Sequence, residues 1–132
     1  LYTKKSVIEW YKNTKSNFKK NEFLKIYIDY PRIELIKKIN LRTKLMMDTG
    51  AILEVKKFLK LRISKNKSIS KAIGVAEIKD FIKKKMAEEQ VIEKISIKTR
   101  QYAKRQSTWG RGNMPDWNKI SHSNLNKFLK KI

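Results

Sequence analysis

Between Lys94 and Arg111 the chain sets six cations, Lys94, Lys98, Arg100, Lys104, Arg105 and Arg111, among Thr99, Gln101, Gln106 and Trp109. Guanidinium, ammonium and aromatic groups in this mixture suit a phosphodiester backbone and unstacked bases. A second oddity is Arg32, which follows Pro31 into the first turn of a predicted helix. The helix dipole disfavours a cation there. A cation beside free helix N–H groups makes sense where an anion binds, a phosphate or diphosphate being the sharpest idea. A salt bridge to Asp29 or Glu34 is the plainer alternative. Other chemistry is absent from the sequence: no GxxxxGK[ST] phosphate loop, no HExxH, no acidic pair beside a base. His122 stands alone in a polar tail and reads as an exposed bystander. With one His and no Cys, a zinc site is not expected.

These residues belong to a chain of 132, room for one small domain. Lys and Arg number 33 against 12 Asp and Glu, a net charge of +21 that attracts polyanions, nucleic acid first among them. Because 27 of the 33 are Lys in a chain also rich in Ile and Asn, AT-rich coding accounts for part of that surplus. The six arginines escape this bias, so their placement says more. Ile, Leu, Val and Phe make up 27% of the chain, above the roughly 20% below which disorder is the default. No run nears the ~18 apolar residues of a membrane span, and no cleavable signal opens the chain. It begins at Leu1 and is expected to be part of something longer.

The elements that must position these groups are mainly helical. Ser6–Lys12 reads as a short amphipathic helix with Val7, Trp10 and Tyr11 on one side, and 13–21 as a basic loop. Lys25–Tyr30 alternates as a strand, and with no second strong strand nearby it is expected to pair with something outside this chain. Pro31 opens a helix with Ile33, Ile36, Ile39, Met46 and Met47 at helical spacing, stopped by Gly50. Ala51–Leu61 follows, its face made by Ile52, Val55 and Leu59. A third helix is predicted from Lys71 to about Lys84, capped by Ser70. A fourth, with Glu88 and Glu89 in its first turn, should run to about Trp109 and end at Gly110–Asn113. A short strand at Pro115–Ile120 and a helix at Asn124–Lys131 complete the set.

At about 100° per residue, Val91, Ile95, Tyr102 and Trp109 share one side of the fourth helix, with Ile92 and Ala103 at its margin. Thr99 and Gln106 fall inside that apolar arc. They are either a polar pair gripping neighbouring backbone or the border of a substrate channel, because a buried unpaired amide costs about 1–3 kcal/mol. Lys94, Lys98, Gln101 and Arg105, flanked by Arg100 and Lys104, form the opposite, basic side.

The run Thr99–Trp109 (TRQYAKRQSTW) closely resembles the C-terminal signature of the tRNA dimethylallyltransferases, the tRNA isopentenyl-transferring enzymes. Thr3–Ser6 through Trp10 is similar to that family's TGKS…EW stretch, with Lys4 in place of glycine. Pro31-Arg32 with Ile39, Arg42, Met46, Gly50, Glu54 and Val55 resembles its helix pair. Ala72-Ile73-Gly74 resembles its AIGY turn, although Val75 replaces the aromatic residue and Ala76 a basic one.

The resemblance implies an α/β, P-loop NTPase-like family core, of which this chain is the C-terminal half, mainly α with one or two short strands. Residues 1–24 would end a helical insertion region, and 25–132 would supply core-completing helices and the tRNA-binding C-terminal segment. It implies transfer of a dimethylallyl group from dimethylallyl diphosphate to the exocyclic amine of the adenosine 3′ of the anticodon. Arg32 would act on the leaving diphosphate. Gly74, Lys94, Lys98, Thr99, Arg100, Gln101, Lys104, Arg105, Gln106, Trp109 and Arg111 would face the tRNA anticodon stem-loop. ATP and nucleotide binding at the phosphate loop, the catalytic Asp and the magnesium ligands would lie in the N-terminal half, leaving this chain inactive alone. A cytoplasmic monomer with no membrane partner is implied. The rivals are a non-catalytic Lys-rich nucleic-acid-binding protein and a transferase for free adenine nucleotides, against which the long basic face argues.

Overall fold

The structure, a computed structural model, describes residues 6–15, 17–19, 22–64 and 66–130. It is mainly helical, with one small parallel sheet. Helix α1 (Val7–Asn13) starts with a reciprocal cap: Ser6 Oγ accepts the Glu9 N–H, and the Glu9 carboxylate accepts the Ser6 N–H. Two of the donors that a helix start leaves unpaired are thereby satisfied. Its Val7, Trp10 and Tyr11 are exposed. The Thr3–Lys5 part of the family-like stretch lies outside the described residues.

The strand predicted to lack a partner has one within the chain. Strand β1 (Ile26–Asp29) pairs in parallel with β2 (Asn118–Ser121), from Ile26 opposite Asn118 to Asp29 opposite Ser121. Parallel partners need a long crossover, so no local pattern announces them. Four helices intervene here: α2 (Arg32–Asp48), α3 (Ala51–Lys60), α4 (Val75–Ile82) and α5 (Glu88–Asn113). Met47, Ala51, Val55, Ile78, Val91 and Ile95 bury one another where these helices meet. Of the apolar spacing read from α2, Met47 enters that core with Met46 against it and Ile39 is buried elsewhere, whereas Ile33 is exposed. In α3 Val55, and in α5 Val91 and Ile95, lie where the spacing put them.

The helix predicted from Lys71 starts later. Ser68–Lys71 makes one 3-10 turn, Ser70 Oγ donates to the Ser64 carbonyl, and α4 opens only after Gly74. Helix α5 also outruns its predicted end, continuing through Gly110 to Asn113. Gly110 serves packing rather than termination: a Cβ there would fall 2.6 Å from Tyr27 Cε2, so a side chain would force the Tyr27 ring or the crossing of α5 over β1 to shift. Beyond β2, a 3-10 turn (His122–Asn124) leads into α6 (Leu125–Leu129). Lys131, in the predicted last helix, lies outside the described residues.

The apolar stripe predicted along α5 is covered only in its first half. Val91 and Ile95 are buried and Thr99 half-buried, but Tyr102, Gln106 and Trp109 are exposed. The core that buries α5 reaches no further than Ile95. Thr99 Oγ1 donates to the Ile95 carbonyl of its own helix at 2.8 Å rather than gripping a neighbouring element.

Candidate functional site

Past that point α5 runs beside β1 and the start of α2, and between them opens a cavity of about 590 Å³. On α5, Arg100, Lys104, Ser107 and Arg111 follow one another at helical spacing and share a face turned toward it. Arg32 enters from the first turn of α2, and Lys119 from β2. Leu35, Ile36, Ile39 and Ile97 add an apolar part to the lining. Among the described residues Asp29 is the only carboxylate in that lining.

None of these five cations forms a salt bridge; among the described residues the ion pair found is Lys98 with Glu77. The plain alternative for Arg32, a bridge to Asp29 or Glu34, is therefore not realised. Like charges gathered around one cavity repel one another, and a polyanion relieves that repulsion. Gln101 lines the same cavity.

The remaining predicted residues divide among three places. Arg105, Gln106 and Trp109 line a second, smaller slot of about 420 Å³, together with Tyr27, Gly110 and Met114. Tyr27 lines both openings and stands between them. The Arg105 guanidinium lies 5.9 Å from the centre of the Tyr102 ring, within reach of a cation–π attraction. Lys94 is exposed and lines neither opening.

Gly74 and Lys98 share a third place, at the start of α4. Glu77 is buried, accepts the Gly74 N–H at 3.1 Å and is hydrogen-bonded by the Lys98 ammonium. Burial pushes the Glu77 carboxyl up. The Lys98 hydrogen bond and charge, with backbone N–H donors at Glu77 and Gly74, outweigh burial and hold it below the usual value of 4.5. Gly74 is buried at a φ of +103°, with Ile95 and Met46 side chains close by. A Cβ there would meet only ordinary contacts at 3.6 Å or more, so the cost of Gly74→Ala is backbone strain. It should lower stability by about 1–2 kcal/mol, measured by denaturant unfolding; an unchanged midpoint would refute the strain.

Among the described residues no group of three or more His, Cys, Asp or Glu side chains could hold a metal ion. No helix among the described residues is long and apolar enough to cross a membrane.

Residues 1–113 match the family model described as IPP transferase. The chain belongs to the IPP transferase family. It is 48% identical over 131 residues to a tRNA dimethylallyltransferase of Pelagibacter ubique, covering 99% of this chain and 42% of that protein. A tRNA dimethylallyltransferase of Wolbachia pipientis is 36% identical over 92% of this chain and 41% of its own length. The IPP transferase chain thus spans about two-fifths of the curated relatives it matches. A tRNA isopentenylpyrophosphate transferase structure from Bacillus halodurans superimposes with a TM-score of 0.70 at 28% identity, over 94% of this chain and 40% of that one. The Staphylococcus epidermidis structure gives 0.70 at 27% identity, over 82% and 37%.

Sequence reasoning missed three residues of the cavity lining in this IPP transferase chain. Lys119 needed the β1–β2 register to place it. Tyr27 needed the crossing at Gly110. Tyr30, also in the cavity lining, packs its ring 4.5 Å from that of His122, so the histidine is exposed but not isolated. Lys38 lies 5.1 Å above the same tyrosine ring.

Proposed function

We propose that this chain is the cradle side of a tRNA dimethylallyltransferase, which moves a dimethylallyl group from dimethylallyl diphosphate to the exocyclic amine of the adenosine 3′ of the anticodon. The observation that carries this reading is the convergence of Arg32 and the α5 cations, all without carboxylate partners, on one cavity with an apolar part to its lining. In the reaction the amine nitrogen bonds the allylic carbon as its bond to the diphosphate oxygen breaks. The departing oxygens gain negative charge, and a fixed guanidinium stabilises it most where charge develops. Arg32 takes that role. The other cavity cations and the Trp109 slot hold the anticodon stem-loop, whose target base must leave its stack before its amine can attack.

Within this reading residues 1–24 end a helical insertion region, and 25–132 complete the core and bind tRNA. Magnesium, nucleotide-binding groups and the catalytic base come from residues outside this chain. The enzyme works as a cytoplasmic monomer. The test is complementation. Cells lacking their own enzyme receive the complete reading frame containing this segment, and tRNA nucleosides are read by mass spectrometry. Dimethylallyl-adenosine beside the anticodon is expected; unmodified adenosine there would sink the reading. Arg105, exposed at the slot, supplies a quantitative check. Arg105→Ala should lower the slope of log affinity for anticodon stem-loop RNA against log salt by about one counterion, and an unchanged slope counts against the docking face.

A further inference from the structure

We propose that Lys119 is a phosphate ligand of the cavity, contributed by β2 from beyond the residues that match the family model. The inference rests on the cavity being a phosphate site, as argued above, and adds a residue that the family match does not reach. Lys119 stands opposite Tyr27 in the parallel ladder, and Tyr27 and Asp29, two apart on β1, line the same cavity. Alternate strand residues share a face, so the cavity side of this sheet is Tyr27, Asp29 and Lys119. Ile120, next in sequence, is buried. A slip of one residue would put Ile120 into the cationic cavity and turn Lys119 away, so burial of Ile120 fixes where the lysine points. Lys119 forms no salt bridge with Asp29 although both line the cavity. Its ammonium keeps three donors and no acceptor, a compact charge suited to phosphate oxygen.

That oxygen belongs either to the diphosphate or to the RNA backbone, and the two are separable. The protein expressed from the complete reading frame containing this segment, wild type and Lys119→Gln, is titrated with inorganic diphosphate, and separately with an anticodon stem-loop RNA at several salt concentrations. If the ligand is the diphosphate, its binding weakens about tenfold or more, the size of one charge-assisted hydrogen bond. If it is the RNA backbone, the salt slope falls by about one. Lys119→Arg should restore whichever property is lost, which a merely structural defect would not allow. Asn118→Ala, on the adjacent exposed position, should leave both unchanged. Wild-type binding of both probes with no change in Lys119→Gln overturns the proposal while sparing the cavity. Failure of the wild-type full-length protein to bind either probe overturns the cavity reading, and the proposal with it.

Discussion

Arg32→Ala in the full-length enzyme should slow prenyl transfer by about 10²–10³-fold, the typical effect of removing a fixed donor from a developing anion. Affinity for tRNA should fall only a fewfold. The difference follows from position: Arg32 lies at the start of α2, across the cavity from the α5 cations, and has no carboxylate partner to release when it is removed. Single-turnover rates and equilibrium RNA binding measure the two effects separately. Equal losses in both would make Arg32 one more backbone contact, and would favour the rival of a non-catalytic nucleic-acid-binding protein.

Lys98→Ala should act mainly on the fold rather than on RNA. It leaves the Glu77 carboxylate buried with the Gly74 N–H as its remaining cross-turn partner. Breaking a fully buried pair costs about 3–5 kcal/mol. Because the Lys98 side chain is 52% exposed, water already screens part of the interaction, and about 2 kcal/mol is the appropriate scale. The pH dependence carries the signature. The folded Glu77 carboxyl titrates below its ordinary value, so over that window the unfolded chain binds more protons. The stabilisation is complete above about pH 4.5 and fades as pH falls through the folded value. The gap between wild type and Lys98→Ala should therefore narrow in acid. Glu77→Gln, which keeps an acceptor for Gly74, should recover part of the loss in the double variant. Thermal unfolding from pH 3 to pH 7 checks both statements, and a constant gap would refute the ion-pair account.

Much of the fold was legible because helices are written locally. The spacing of Ile39, Met47, Val55, Val91 and Ile95 announces faces that the structure buries. What escaped was non-local. Lys98 looks like part of a wet, basic face until α4 brings a buried carboxylate to it. Gly110 reads as a helix stop because only the crossing with Tyr27 reveals another use. Gln106 falls on an apolar arc by angle, but no core element extends far enough to cover it. Of the site itself, Arg32 and the α5 cations could be singled out separately by residue type and position. Their meeting in one cavity, and the addition of Lys119, depend on a strand register that no window of sequence contains.

The ladder between β1 and β2 has only four residue pairs, yet it fastens position 26 to position 118. Closing so large a loop costs chain entropy that few hydrogen bonds return until the helices between have already assembled. The sheet should therefore be the last part to form and the first to open. In hydrogen exchange its amides should trade with solvent well before those of Val91 and Ile95. A chain caught in that half-undone condition would keep its helices while losing the wall that carries Tyr27 and Lys119. Occupancy of the cavity would then act as a clasp, drawing the distant segments 26–29 and 118–121 together.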